Sequence, residues 1–175
     1  TGKKAAGYKA ARVSIAEARQ ITKDEAAGQL AAITSSRQAF AGLPMDKVQV
    51  MGIVNVTPDS FSDGGQFFDA EDAIAHGRGM AADGATLLDV GGESTRPGAE
   101  PVSTEDELTR ITPVISALAK DGHLVSADTR HSAVMGPALA AGARIINNVS
   151  GFADEGAADI MGQTYLSAPT NSFAI

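Results

Sequence analysis

The feature that most constrains the fold is a unit that occurs four times between residues 48 and 151. Each unit begins with a short apolar run that leads into a polar loop, and a stretch of helical character follows. The apolar runs are predicted as buried strands at 48–56, 85–92, 123–129 and 143–151. Helices are predicted at 69–84, 103–122 and 131–142. Strands that alternate with helices favour a parallel sheet with helical crossovers, which is an α/β fold.

The predicted helix at 103–122 carries clear local signals. Ser103 or Thr104 can cap its first turn, and Asp106 or Glu107 stands three residues later, as a capping box requires. Pro113 falls inside the same helix, where it is expected to kink or break it.

Two segments lie outside the repeated units. Residues 1–46 are expected to form an extension that is partly helical, because 14–33 are rich in Ala, Glu, Gln and Lys. The tail at 162–175 is polar, and we expect no strand in it. The chain begins with Thr1, so we expect that it has lost its start or is a fragment. For the tail we expect a truncation, a frameshift or a fusion scar.

Composition excludes several kinds of site and partner. The sequence has no cysteine, which rules out disulfides and thiolate metal sites, and its three histidines show no metal-ligand spacing. The net charge of −7 argues against nucleic acid as a partner, although local groups can still hold a phosphorylated substrate. No apolar run is long enough to span a bilayer, and the start lacks the apolar core of a signal peptide. We therefore expect no membrane partner and a cytoplasmic location.

Polar side chains follow each of the four predicted strands. Asn55 to Asp63 follow the first and Gly91 to Gly98 follow the second, while Asp128 ends the third and Asn147 lies late in the fourth. Ligands of parallel α/β sheets bind beyond the carboxyl ends of the strands. We therefore expect these clusters to meet in one site, and we regard a set of turn and cap residues as the weaker explanation.

The loop residues have structural alternatives. Asn55 offers a hard oxygen that suits Mg²⁺, or it forms an Asx turn. Asp63 precedes a Gly-Gly pair and is either an acidic residue on a mobile lid or a turn residue. Thr95 and Arg96 can donate to diphosphate or carboxylate oxygens. Alternatively, Arg96 pairs with Glu93 or Asp63 and closes the loop.

The strand-end residues also have two explanations each. A carboxylate at Asp128 is costly to bury unless it accepts hydrogen bonds. Its donors can be the N–H groups of a heterocycle or the backbone of the next helix. Asn147 stands in an apolar strand, where its amide can match a pterin or purine edge or form a satisfied core contact.

Four motifs, taken in order, resemble those of dihydropteroate synthases. They are NVTPDSFSDGG (55–65), DVGGESTRPGA (89–99), SADTR (126–130) and INNVSG (146–151). The resemblance covers about residues 47–161 and implies a pterin-binding domain there. It also implies an incomplete (β/α)₈ TIM barrel, namely the first half with about four βα units, which follows the N-terminal helical extension.

The resemblance implies a reaction and a role for each loop residue. The family joins 4-aminobenzoate to 6-hydroxymethyl-7,8-dihydropterin diphosphate and forms 7,8-dihydropteroate in folate biosynthesis. By this resemblance, Asn55 would help to hold Mg²⁺ and the leaving diphosphate, and Asp63 would stabilise a pterin-methyl cation. Thr95 and Arg96 would contact the diphosphate or order the closed site.

The resemblance assigns the pterin ring to Asp128 and Asn147, but this chain departs from the family pattern. Asn148 stands where the family usually has Asp, and strands 5 to 8 of the barrel have no counterpart. We therefore expect little or no turnover by this chain alone. The alternatives are a related pterin-binding methyltransferase and a non-catalytic remnant that binds pterin.

Half a barrel leaves two sheet edges and an apolar inner face. Exposed edges invite pairing with another chain, whereas closure of a barrel removes them. We therefore expect this chain to form a homo-oligomer.

Overall fold

The computed structural model describes residues 28, 31–57, 70–94, 100–167 and 173–174. The chain divides into two compact units, Thr1–Arg37 and Gln38–Ile175. In the first unit, residues 28 and 31–34 are helical, which agrees with the end of the helix predicted at 14–33. The earlier residues of that predicted helix lie outside the described ranges.

The second unit alternates strands and helices along the chain. Its elements are β1 (Met51–Asn55), α1 (Ala70–Ala82), β2 (Leu87–Gly91), α2 (Thr104–Lys120), β3 (Val125–Asp128), α3 (Ser132–Ala141), β4 (Ile145–Asn147), α4 (Ala157–Ser167) and β5 (Phe173–Ala174). The strands form one parallel sheet in the order β1-β2-β3-β4-β5. The predicted α/β fold is therefore confirmed.

The strand register aligns side chains in rows across the sheet. Val54, Val90, Ala127 and Ile146 form one row and are fully buried in the main core, which the helices also line. Side chains alternate between the two faces of a strand. The neighbouring row, one residue further along each strand, therefore lies on the opposite face of the sheet, which we call the open face.

The prediction of a buried first strand is wrong for one of its faces. Along β1 the residues alternate between exposed and buried, and Met51 and Ile53 are 41% and 47% exposed. Among the strands of the described residues β1 lies at the edge, so its open-face side chains have a neighbouring strand from this set on one side only. The apolar residues show that a strand forms, but they do not show whether another element covers it.

Ser103 and Asp106, one of the predicted pairs, form the N-terminal cap of α2. The Ser103 hydroxyl accepts a hydrogen bond from the Asp106 backbone N–H at 3.1 Å and donates to the Asp106 carboxylate at 2.6 Å. Glu107, the alternative member of the predicted pair, is instead fully buried.

Pro113 is predicted to kink or break this helix, and the predicted break is wrong. α2 runs without interruption from Thr104 to Lys120 and contains Pro113 in its interior. Pro113 lies on the exposed side, where a carbonyl that lacks an N–H partner can bind water. Burial of Ile111, Val114 and Ile115 on the other side stabilises the helix in spite of the proline.

The prediction of a tail without a strand is also wrong. α4 continues to Ser167, and the two residues of β5 pair in parallel with Ile145 and Ile146 of β4. A strand this short gives no periodic pattern in a sequence. It forms where the outer edge of β4 offers free backbone groups.

Two glycines of α1 are expected to respond in opposite ways to alanine. A Cβ at Gly79 meets nothing within 4 Å, so Gly79→Ala should raise the free energy of unfolding by about 0.5–1 kcal/mol through the better helix propensity of alanine. A Cβ at Gly77 would lie 3.0 Å from Cδ1 of the buried Leu118, so Gly77→Ala should be destabilising. Urea unfolding of both variants measures this. Equal stabilisation by both would contradict the close packing of Gly77 on Leu118.

None of the helices in the described ranges combines the length and the apolar character that crossing a bilayer requires.

Candidate functional site

The register brings three of the predicted site residues into one row. Asn55, Gly91, Asp128 and Asn147 are Cα partners across β1 to β4, at the carboxyl ends of the strands and on the open face. Neighbouring strands lie about 4.8 Å apart, so these residues form one line along the same end of the sheet. The other predicted site residues, Asp63, Thr95 and Arg96, lie outside the described residues.

Gly91 leaves space in the middle of this row. A Cβ at this position would lie 3.4 Å from both Cβ and Oδ2 of Asp128. The glycine therefore keeps one side of the Asp128 carboxylate free of a neighbouring side chain, so that a flat ligand can approach it.

Asn147 forms the internal contact that is one of the two explanations for its sequence position. Its Nδ2 donates a hydrogen bond of 2.9 Å to Oδ2 of Asp89. The residue is otherwise half-buried, at the end of β4. One N–H of the amide is thus bound within the protein, and the residue as a whole stays partly exposed.

Asp89 is the site residue that the sequence analysis missed. It lies on the open face of β2 and is only 3% exposed. The available signal was a carboxylate inside the apolar run LLDVG, since an acid is costly to bury without donors. Its partner Asn147 is 58 residues away in the sequence, so no local pattern links the two.

Asp128 is a half-buried acid with a perturbed pKa. Burial, together with the negative charges of Asp89, Glu107 and Glu93, raises the pKa of the Asp128 carboxyl to about 6. The alternative role of Asp128 as a cap of the next helix is wrong. His131 is the N-cap residue of α3, and the first backbone N–H of that helix, at Ser132, donates to Asp154 at 2.6 Å.

The raised pKa of Asp128 predicts a pH-dependent contribution to stability. Its ordinary value is 3.8, so between pH 4 and pH 6 the folded state binds more protons at this residue than the unfolded state. This contribution is therefore fully present below pH 4 and is lost as the pH rises through 6. Because solvent screens a half-buried group, we expect a loss of about 1 kcal/mol.

A carboxyl-carbon NMR titration checks the pKa of Asp128, and urea unfolding at pH 4 and pH 7 measures the stability. Because other acids also titrate in this range, the quantity to compare is the difference between the native chain and Asp128→Asn at each pH. A titration midpoint of Asp128 near 4 would contradict the prediction.

Glu93 connects the loop after β2 to the loop after β3. Both of its carboxylate oxygens accept from Arg130 at 2.8 Å, and Oε1 also accepts from the Val102 backbone N–H at 3.2 Å. Burial favours a higher pKa of Glu93, but these hydrogen bonds outweigh it and lower the pKa. The Glu93 carboxylate, which the sequence suggests as one partner for Arg96, already binds Arg130 through both oxygens.

Asn148 forms hydrogen bonds through both the nitrogen and the oxygen of its amide. Its Nδ2 donates to the Thr129 carbonyl at 3.0 Å, and its Oδ1 accepts from the Ser150 hydroxyl and the Phe152 N–H at 2.8 Å each. A carboxylate could not donate to the carbonyl of Thr129. The amide at this position is therefore used to hold the turn after β4 against the end of β3.

The donor set for a metal is small. Among the residues that the structure describes, no group of three or more His, Cys, Asp or Glu side chains could hold a metal ion. Asn55 offers a single amide oxygen from an exposed position at the end of β1. Mg²⁺ commonly keeps several waters, so one amide oxygen suits it as a partial set of protein ligands.

Comparison with known proteins agrees with this geometry. A family model described as pterin binding enzyme matches residues 51–166. Dihydropteroate synthase of Mycobacterium leprae is 55% identical over 104 residues, which are 59% of this chain and 37% of that protein. The structure of Xanthomonas albilineans dihydropteroate synthase with 4-aminobenzoic acid is 51% identical with a TM-score of 0.68, over 74% of this chain and 49% of that one.

A third protein gives the same result. The structure of Burkholderia cenocepacia dihydropteroate synthase complexed with 7,8-dihydropteroate is 45% identical with a TM-score of 0.59, over 67% of this chain and 39% of that one. The chain thus spans between 37% and 49% of the length of these proteins. The family match runs from β1 into α4 and contains the whole row of strand-end residues. This chain belongs to the pterin-binding enzyme family.

Proposed function

We propose that this chain carries the pterin-binding half of a dihydropteroate synthase site. Such an enzyme condenses 4-aminobenzoate with 6-hydroxymethyl-7,8-dihydropterin diphosphate. The observation that carries the proposal is the row of Asn55, Asp128 and Asn147 at the carboxyl ends of neighbouring strands, in a chain that belongs to this family.

The proposed pterin contacts follow from the chemistry of two side chains. The Asp128 carboxylate accepts hydrogen bonds from ring N–H groups, and the Asn147 amide can both accept and donate. Gly91 leaves space beside Asp128 for the flat ring. Charge-assisted hydrogen bonds of this kind are stronger than neutral ones, so Asp128 should dominate the affinity for pterin.

The proposed roles of the loop residues concern the diphosphate. Asn55 would supply one oxygen ligand to a bound Mg²⁺, whose positive charge would offset the negative charge on the leaving group. Thr95 and Arg96 would donate to the diphosphate oxygens, and Asp63 would stabilise the positive charge that develops on the pterin methylene. The C–O bond breaks with its electrons on the diphosphate. The amine of 4-aminobenzoate then forms the C–N bond and releases a proton.

Titration calorimetry of the purified chain with 6-hydroxymethyl-7,8-dihydropterin diphosphate, with and without Mg²⁺, tests the proposal. We expect binding that is stronger with Mg²⁺. Asn55→Ala should remove the Mg²⁺ dependence and keep the pterin contacts. Absence of binding by a chain that circular dichroism shows to be folded would overturn the proposal.

Binding without turnover is the second candidate function. We expect the chain alone to form little or no dihydropteroate, and measurable turnover would contradict this. The methyltransferase alternative has less support, because the proteins compared above are synthases.

Self-association remains a prediction, and the edge position of β1 supports it. β1 exposes Met51 and Ile53 on the open face, and its outer backbone edge can pair with another strand. Light scattering should show a mass above that of one chain. A monodisperse, folded monomer would contradict it. The cytoplasmic location remains a prediction as well.

A further inference from the structure

We propose that Asp89 is a positioning residue that fixes the orientation of the Asn147 amide. Through this orientation the site prefers a ring that presents N–H groups over a ring that presents a carbonyl. This inference rests on the proposed pterin site. It adds a residue that lies beneath the site and determines specificity through Asn147.

The contact between Asp89 and Asn147 crosses a strand. Asp89 lies on β2 and Asn147 on β4, so their 2.9 Å hydrogen bond passes over the intervening strand β3. The β3 residue at the level of Asp89 is Ser126, which is fully buried. A serine is small enough to let the two longer side chains meet above it. The contact therefore depends on three strands in a fixed register.

Asp89 determines which end of the Asn147 amide faces it. The oxygen and the nitrogen of an asparagine amide have nearly the same shape, so the surrounding donors and acceptors decide its orientation. A carboxylate can only accept, so Asp89 binds the NH₂ end of Asn147. The carbonyl oxygen of Asn147 is then directed away from Asp89 and remains available to a ligand.

The Asn147 carbonyl oxygen and the Asp128 carboxylate form a pair of hydrogen-bond acceptors. The carboxylate of Asp128 stands beside Asn147 in the same row. Two neighbouring acceptors match the edge of a 2-amino pterin, which carries adjacent N–H groups. A 2-oxo analogue, a lumazine, would place a carbonyl oxygen against them, and such a mismatch reduces affinity by about 10- to 100-fold.

Burial supports the role of Asp89. Its second oxygen, Oδ1, is buried and has no hydrogen-bond partner among the described residues. Asp89 therefore depends on Asn147 for its observed side-chain hydrogen bond. If the Asn147 amide turned around, the buried carboxylate would be left without a donor. A buried acid without donors is strongly disfavoured, so the pair holds the amide in one orientation.

The test compares the affinities of the chain for 6-hydroxymethylpterin and 6-hydroxymethyllumazine by calorimetry. The native chain should prefer the pterin by about 10- to 100-fold. In Asp89→Asn both amides can turn together, so this preference should fall by about tenfold while the shape of the site is kept. An unchanged preference in a folded Asp89→Asn variant would overturn the inference.

Ser126→Ala is the matched control. It removes a buried hydroxyl that has no hydrogen-bond partner among the described residues, at the same level of the sheet and with a side chain that is still small. The preference should stay within about twofold of the native value, since the contact between Asp89 and Asn147 is retained. A loss of preference as large as that in Asp89→Asn would show that any polar change beneath the site has this effect, and would overturn the inference.

A readout without ligand separates this inference from the proposed function. The side-chain amide protons of Asn147 should shift in NMR spectra of Asp89→Asn and should stay in place in Ser126→Ala. If neither compound binds the native chain but this shift is seen, the proposed pterin site fails while the positioning role stands. If Asp89→Asn does not fold, scalar coupling between Asn147 Nδ2 and the Asp89 carboxyl carbon in the native chain decides the point, and its absence would overturn the inference.

Discussion

Asp128→Asn is expected to make the folded chain more stable at pH 8 and to weaken its pterin binding by about 10- to 100-fold. The stability gain arises because the substitution removes a half-buried charge that Asp89 repels, and the amide keeps the same shape. After allowance for solvent screening, we expect a gain of about 1 kcal/mol. Binding weakens because a neutral amide replaces the charged acceptor for the ring N–H groups.

Thermal unfolding and calorimetric titration with 6-hydroxymethylpterin measure the two effects. The stability gain should disappear at pH 4, where the Asp128 carboxyl of the native chain is already protonated. Asp154→Asn is a suitable control, because Asp154 accepts from the Ser132 N–H and its pKa is lowered by that hydrogen bond. The same substitution there should destabilise the chain at pH 8. A destabilised Asp128→Asn variant that still binds pterin would contradict both expectations.

The sequence predicts the fold well because the hydrophobic pattern of each unit is local. Strand, loop and helix signals fall within single units, and their alternation is sufficient to indicate a parallel sheet. The same logic places Asn55, Asp128 and Asn147 together, since the carboxyl ends of parallel strands meet at one end of the sheet. The described part of the predicted site is therefore a consequence of topology.

The features that the sequence does not reveal depend on packing or register. Asp89 meets Asn147 only because β3 places the small Ser126 between them. Pro113 is tolerated because the opposite side of α2 is buried. The exposure of Ile53 depends on which element covers β1. The apolar character of Ile53 does not show whether such an element is present.

Gly92→Ala is expected to lower the free energy of unfolding by about 2–3 kcal/mol. A Cβ at Gly92 would lie 2.8 Å from Ile111 Cγ2, 3.0 Å from Glu107 Cγ and 3.2 Å from the Glu107 backbone oxygen. Both neighbours are fully buried in α2, so they cannot give way unless the helix moves from the sheet. The hydrogen bond of 2.9 Å from Arg110 to the Gly92 carbonyl holds the same helix in place.

Gly91→Ala is the matched control, one residue earlier at the end of β2. A Cβ at Gly91 makes only ordinary contacts, 3.4 Å from Asp128 Cβ and Oδ2, so its effect on stability should stay within about 0.5 kcal/mol. Its methyl group would instead occupy the space beside the Asp128 carboxylate and weaken pterin binding. Urea unfolding and calorimetry should therefore show opposite patterns for the two variants. Equal losses of stability would mean that these glycines supply backbone freedom to the strand end. A loss of stability only in Gly92→Ala, with a loss of binding in Gly91→Ala, would show that Gly92 permits helix packing and that Gly91 keeps the site open.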